Sequence, residues 1–207
     1  VNFSSSAIIQ DIRAISSAGS GHLAFFFFDF KDTGKQDARA LLSSLIVQLS
    51  NQSDSFYDIL LGFHSAHQGG TQQPSVGALT QCLEEMLTVP GDVPIHLIVD
   101  ALDECPNTTG MPSLRKQVLT LVERLVKSAI PSLRLCITSR PEIDIRTSLE
   151  ALTSTSNRIS LHDETGQRND INEFVKVVVH SDDNMRRWRE KDRELVIETL
   201  SNRADGM

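Results

Sequence analysis

Cysteine is scarce. Three residues, Cys82, Cys105 and Cys136, stand far apart with no CxxC spacing. An odd, unpaired set excludes a disulfide framework and a structural zinc site, and it points to a reducing, intracellular setting, the cytoplasm first. Basic residues are outnumbered, 20 Lys and Arg against 27 Asp and Glu, for a net charge of -7. That sign is a poor footprint for a phosphate backbone, so DNA and RNA are set aside as main partners. No apolar run approaches the ~20 residues of a membrane span. The longest, residues 23–28, is strand-length. No charged n-region precedes an apolar h-region, so no secretory signal is read. Eleven glycines and seven prolines are too few for a collagen-like or low-complexity chain. Internal repeats are also missing.

What remains is globular in composition: 207 residues, 40% apolar and 23% charged, enough for one or two domains with a sizeable core. The chain opens on Val1 without a starting Met and stops at Met207 without a closing signal, and it reads as a fragment cut at both ends.

Residues 4–17 suit a helix, with Ile8, Ile12 and Ile15 on one face. Residues 23–30 are almost continuously apolar, as in a strand covered on both faces. An amphipathic helix follows over Ala38, Leu41, Leu42, Leu45, Ile46 and Leu49. The polar stretch 51–74 has room for a short helix around its apolar island at 56–63. Ser75 can cap a helix carrying Val76, Leu79, Leu83, Met86 and Leu87. Residues 95–99 form a second buried strand, ending at Asp100. The strongest helical period runs through Leu114, Val118, Leu121, Val122, Leu125, Val126 and Ala129, closed by Pro131. Residues 133–138 are a third strand, Leu149 and Leu152 mark a short helix, and residues 159–161 a short fourth strand. Two further helices, 169–181 and 190–203, lack any strand between them. The reading is an α/β, doubly wound parallel sheet over residues 1–164, with helices on both faces, and the start of a helical domain over 165–207.

Ligands of an open α/β sheet bind at the carboxyl ends of its strands, and two such ends are chemically loaded. The string Ile95-His96-Leu97-Ile98-Val99-Asp100-Ala101-Leu102-Asp103-Glu104 sets three carboxylates within one turn of a buried strand. They repel one another unless a cation joins them, and Mg²⁺ shared with phosphates would serve. The bland alternative is a solvated acidic loop. The string Leu133-Arg134-Leu135-Cys136-Ile137-Thr138-Ser139-Arg140 ends a strand on two hydroxyls and a guanidinium, a fork that matches phosphate oxygens. Its bland alternative is a surface arginine paired with Glu142. Asp32-Thr33-Gly34-Lys35-Gln36 mimics a phosphate loop, but a Walker A needs Gly where Asp29 stands and Ser or Thr where Gln36 stands, so Lys35 reads as a loop lysine. The glycines of residues 17–22 have no Lys-Ser/Thr beside them. His22, His64, His67, His96, His162 and His180 form no ligand set, and His96 reads as a strand histidine satisfied by a partner. No base is placed for Cys105. Arg186, Arg187, Arg189 and Lys191 around Trp188 are interleaved with acidic residues and read as a solvated helix start.

With both strings in view, the chain resembles the NACHT class of STAND P-loop NTPases, the fungal proteins that carry ankyrin or WD repeats, and the nephrocystin-3-like N-terminal NTPase module. Residues 95–105 resemble its Walker B strand with the acidic extension, and residues 133–142 its sensor 1 strand. The resemblance implies a nucleotide-switched signalling NTPase that binds ATP or ADP with Mg²⁺, hydrolyses slowly and self-associates, flanked by repeat and effector domains. It gives Asp100 a Mg²⁺-bound water, Asp103 and Glu104 the attacking water, and Arg140, with Thr138 and Ser139, the terminal phosphate. The family's Walker A is expected before Val1, together with a central strand. Taken alone, the chain is therefore expected to hold no nucleotide and to present three well-paired strands in the order 23–30, 95–99, 133–138, with the fourth loosely held. The competing class is a non-catalytic interaction or scaffold domain. A metal-dependent nuclease built on Asp100, Asp103 and Glu104 is a third and weaker one.

Overall fold

The computed structural model describes residues 3–17, 20–91, 93–107, 112–160, 165–182 and 184–203. Among them are three β-strands and eight α-helices. The chain divides into two compact units at Leu152/Thr153.

In the first unit, strands β1 (His22–Phe27), β2 (Ile95–Asp100) and β3 (Leu133–Ile137) form a parallel sheet in the order β1-β2-β3. The register places Ala24 beside Leu97 and Leu97 beside Leu135, so the 2-residue period sorts side chains cleanly onto two faces. Ala24, Phe26, Ile95, Leu97, Val99, Leu133, Leu135 and Ile137 build the larger core. Helices α2 (Ala38–Ser50), α4 (Val76–Leu87) and α5 (Leu114–Lys127) cover it, through Leu41, Leu45, Leu83, Met86, Val118 and Leu121 among others. Helix α3 (Asp54–Ala66) adds Phe56 from outside. The opposite face carries Leu23, Phe25, Phe27, Ile98 and Cys136, and α1 (Phe3–Ser17) lays Ile8, Ile9 and Ile12 on it. Side-chain caps start three of these helices: Asp37 accepts from the Ala40 amide, Ser75 from Ala78 and Ser113 from Lys116. Satisfied as expected, His96 Nδ1 lies 3.3 Å from the His22 carbonyl oxygen.

The β1 edge of the sheet is closed by side chains. Gln48 accepts from the Phe25 amide at 3.1 Å and donates to the Phe25 carbonyl at 2.7 Å. Gln52 does the same to Leu23, at 2.9 and 2.7 Å. Four helical residues rise roughly 6 Å and two strand residues roughly 6.6 Å, so glutamines at i and i+4 match strand positions i and i+2. The two amides thus stand in for a neighbouring strand. At the opposite edge, β3 pairs on one side only among the described residues.

Some expectations need correction. Residues 159 and 160 are not in a strand, and Ile159 is 77% exposed; Leu161 lies outside the described residues. Apolar content alone suggested a strand there, and among the described residues, positions 159 and 160 pair with none. β1 stops at Phe27, and Phe30 is exposed in the loop that follows. Helix α6 (Ile143–Glu150) begins six residues before Leu149 and ends before Leu152, since it starts directly after Pro141 and Glu142. In the second unit, α7 (Thr165–Ser181) and α8 (Glu190–Arg203) bury Val179 and Ile197, and Ser201 donates to Asn172 at 3.3 Å.

Replacing both Gln48 and Gln52 by alanine removes the four hydrogen bonds to β1, along with those to Ser44 and to the Gln48 carbonyl, and exposes an apolar strand edge. The expected outcome is a loss of about 2–6 kcal/mol, from net values of roughly 0.5–1.5 kcal/mol for each of the four bonds to β1, together with concentration-dependent association through the opened edge. Urea unfolding and sedimentation at several concentrations check both.

Candidate functional site

Asp100 ends β2, and in-register pairing of β2 with β3 brings Thr138 alongside it. Asp100 is 2% exposed, and the Thr138 hydroxyl donates to its Oδ1. Thr138 Oγ1 also accepts from the Ala101 amide at 3.1 Å, and the Thr138 carbonyl from the Leu102 amide at 3.0 Å. Ala101 is left-handed, at φ 55° and ψ 46°. For a residue with a Cβ this conformation costs about 1–2 kcal/mol. It turns the chain out of the sheet into a single 3₁₀ turn, Leu102–Glu104, whose Leu102 is fully buried and pins the turn down.

The three carboxylates then part. Asp103 accepts from the Arg140 amide at 3.0 Å, and its other oxygen lies 3.6 Å from Arg140 Nε. The Arg140 side chain is 84% exposed, so its charge contributes little to that pair and has solvent around it. Glu104 accepts from the Phe30 amide, in the loop after β1, at 3.2 Å. The Gln36 side chain holds this loop by donating to the Phe30 carbonyl at 2.7 Å. Ser139 donates to the Arg140 carbonyl at 2.8 Å and shapes the turn under the guanidinium. Asp100, Thr138, Asp103 and Arg140 therefore meet at the carboxyl ends of β2 and β3, with Glu104 reaching toward β1. No group of three His, Cys, Asp or Glu that could cage a metal forms among the described residues. The donor set that does form, one strand-end carboxylate and a threonine hydroxyl, is hard oxygen chemistry. It fits a Mg²⁺ that keeps most of its waters and shares phosphates, and it does not fit a carboxylate-caged ion.

Arg115, in the first turn of α5, has no counterpart among the residues singled out from sequence. It is buried, donating from Nε to the Cys105 carbonyl at 2.8 Å and from Nη2 to the Asp103 carbonyl at 2.6 Å. Its Nη1 donates to Glu142 and lies 3.4 Å from both Asp144 oxygens. Glu142, the partner proposed for Arg140, is thus taken by Arg115. A signal was present: positions 115, 118, 119 and 122 share one helix face, and three of the four are apolar. A charged residue on that face needs buried partners. Lys35 ends a single 3₁₀ turn, Thr33–Lys35, in the connection after β1, its amine 3.3 Å from Asp32.

The sequence profile described as Nephrocystin 3, N-terminal, matches residues 3–140, from α1 through Arg140, and so takes in every part of this site before α6. The chain belongs to that family. Within the nephrocystin 3 N-terminal family frame, both strand-end motifs lie inside the match, and Arg140 is its last residue. The chain is also 31% identical, over 156 residues, to the vegetative incompatibility protein HET-E-1 of Podospora anserina. That similarity covers 74% of this chain and 11% of the relative's length, so the chain spans about a tenth of the protein it matches. No solved structure matches the chain.

Cys105 is held as a thiol. Burial pushes it up to about 12, with Arg115 opposing and Asp37 adding to the rise, and its Sγ donates to the Gln36 carbonyl at 3.1 Å. A raised folded-state pKa stabilises fully below the unfolded value, about 8.5, and that stability is lost as pH climbs toward the folded value. The slope is at most about 1.4 kcal/mol per pH unit. Cys105→Ala removes this dependence, so the stability gap between the wild type and this variant narrows from pH 8 to pH 11. Urea unfolding at each pH measures the gap; a constant gap contradicts a buried protonated thiol.

Proposed function

We propose that this chain is the Walker B and sensor 1 portion of a nucleotide-switched signalling NTPase. It takes ATP or ADP with Mg²⁺ in the natural protein, hydrolyses slowly and links the nucleotide state to self-association. The observation that carries this reading is the pairing of Asp100 with Thr138 and of Asp103 with Arg140, side by side at the carboxyl ends of adjacent parallel strands, where such sheets bind ligands. The similarity to a vegetative incompatibility protein supports signalling over metabolism. Free thiols at Cys82, Cys105 and Cys136 suit a reducing, intracellular site of action.

Each residue has a role that its surroundings favour. Asp100, fixed by the Thr138 hydroxyl, presents a carboxylate to a water of Mg²⁺, and the ion supplies charge neutralisation of the phosphates. Asp103 is engaged twice by Arg140, which favours Glu104 as the residue that orients or deprotonates the attacking water. The Phe30 amide holds the Glu104 carboxylate in one orientation. Arg140, mostly in solvent, can transfer its guanidinium to a terminal phosphate, with Ser139 and Thr138 beside it.

A second reading is a non-catalytic interaction domain. It draws on the fact that Asp103 and Glu104 already have donors within the protein, so the acidic string is self-sufficient as a structural turn. Steady-state Mg-ATP hydrolysis by the natural full-length protein separates the two. Glu104→Gln is expected to keep nucleotide affinity within about twofold and to slow turnover by on the order of 10²-fold or more, the range for a lost general base. Asp100→Asn is expected to weaken Mg-ATP selectively over metal-free ATP. Absence of Mg-dependent ATP binding in the wild type favours the interaction domain.

A further inference from the structure

The geometry points to Arg115 as a positioning residue that ties the acidic turn to the segment bearing Arg140, so that a shift of one is transmitted to the other. This rests on the nucleotide-handling reading of the same site. A guanidinium presents its donors in one rigid plane, and here they point to three places. Nε takes the carbonyl of Cys105, Nη2 the carbonyl of Asp103, and Nη1 the carboxylates at the start of α6. The Arg115 side chain is 6% exposed, while Glu142 and Asp144 are partly in solvent. The cation is therefore buried against the turn and neutralised from the α6 side.

These contacts close a ring. Asp103 is held at its carboxylate by the Arg140 amide and at its carbonyl by Arg115. Arg115 is held by Glu142 and Asp144, two and four residues beyond Arg140. Glu104 follows Asp103 directly, and the Glu104 amide donates back to Ala101 at 2.9 Å, within the same turn. When Arg140 moves toward a phosphate, the peptide that carries Glu142 and Asp144 moves with it. The pull reaches the backbone of Asp103 through Arg115. Arg115 touches neither nucleotide nor water in this account; it sets where the acidic residues stand. Lysine, a point charge with a flexible stem, cannot hold the three directions together.

The test uses the natural full-length protein and two variants: Arg115→Lys, and the double change Glu142→Gln with Asp144→Asn, which keeps an acceptor oxygen at each position and removes its charge. Amide hydrogen exchange without nucleotide is followed at Leu102, Glu104 and Cys105, alongside kcat and KM for Mg-ATP. The double variant is expected to speed exchange in the turn by on the order of tenfold, leaving amides in the second half of α5 unchanged. It is also expected to lower kcat by on the order of tenfold with KM within about twofold. Arg115→Lys should move the same readouts further; if it fails to fold, the double variant decides. Unchanged exchange at the turn, or exchange raised evenly through the first unit, would overturn the proposal, as would a raised KM with kcat intact. If the wild type shows no Mg-ATP turnover, the nucleotide reading falls by itself, and the exchange data alone judge Arg115.

Discussion

A carboxylate buried at the end of a strand is tolerable only where a donor meets it, and the whole loaded end of this sheet is organised around that demand at Asp100. The donor is the Thr138 hydroxyl, supplied by the adjacent strand. Supplying it requires β2 and β3 to pair in one register, Val99 beside Ile137, because a slip by one residue would turn Thr138 to the other face. The same threonine then accepts from Ala101 and, through its carbonyl, from Leu102. Satisfying one buried charge thereby fixes where the chain leaves the sheet. The left-handed Ala101 and the single turn after it follow from that fixed exit.

The sheet and most helices were legible because their causes are local. The apolar run at residues 23–28 and the mostly apolar runs at 95–99 and 133–137, interrupted only by His96 and Arg134, fit strands or short buried helices, and their length decides for strands. The period of α5 is readable for the same reason. Runs whose fate depends on a distant partner were not legible. Ile159 has strand chemistry, yet among the described residues it pairs with no strand. Gln48, in α2, and Gln52, just after it, are polar residues that in the fold are bound to β1. A charged residue at position 115, within an apolar period, looks like noise until its acceptors, which come from the two separate segments 103–105 and 142–144, are assembled around it.

The candidate site shows the same division. Sequence placed Asp100, Asp103, Glu104 and Arg140 at two strand ends, and parallel pairing puts those ends together. What spacing along the chain could not supply was direction. Three carboxylates within five residues look like one acidic cluster. In the fold they face three different donors, Thr138 directly after β3, Arg140 two residues further on, and Phe30 on the loop after β1. Mutual repulsion is relieved by divergence, with no need for a shared cation among them. That weakens a nuclease reading, which needs convergence, and leaves intact a reading that needs one carboxylate near a hydrated ion.

The glutamine pair on α2 has a mechanical consequence. Because each amide clasps both the donor and the acceptor of a single β1 residue, the helix is indexed against the strand like a tooth in a rack. It can neither slide by a residue nor roll by a fraction of a turn without releasing both clasps together. The α2–β1 side of the sheet is consequently the stator of this unit.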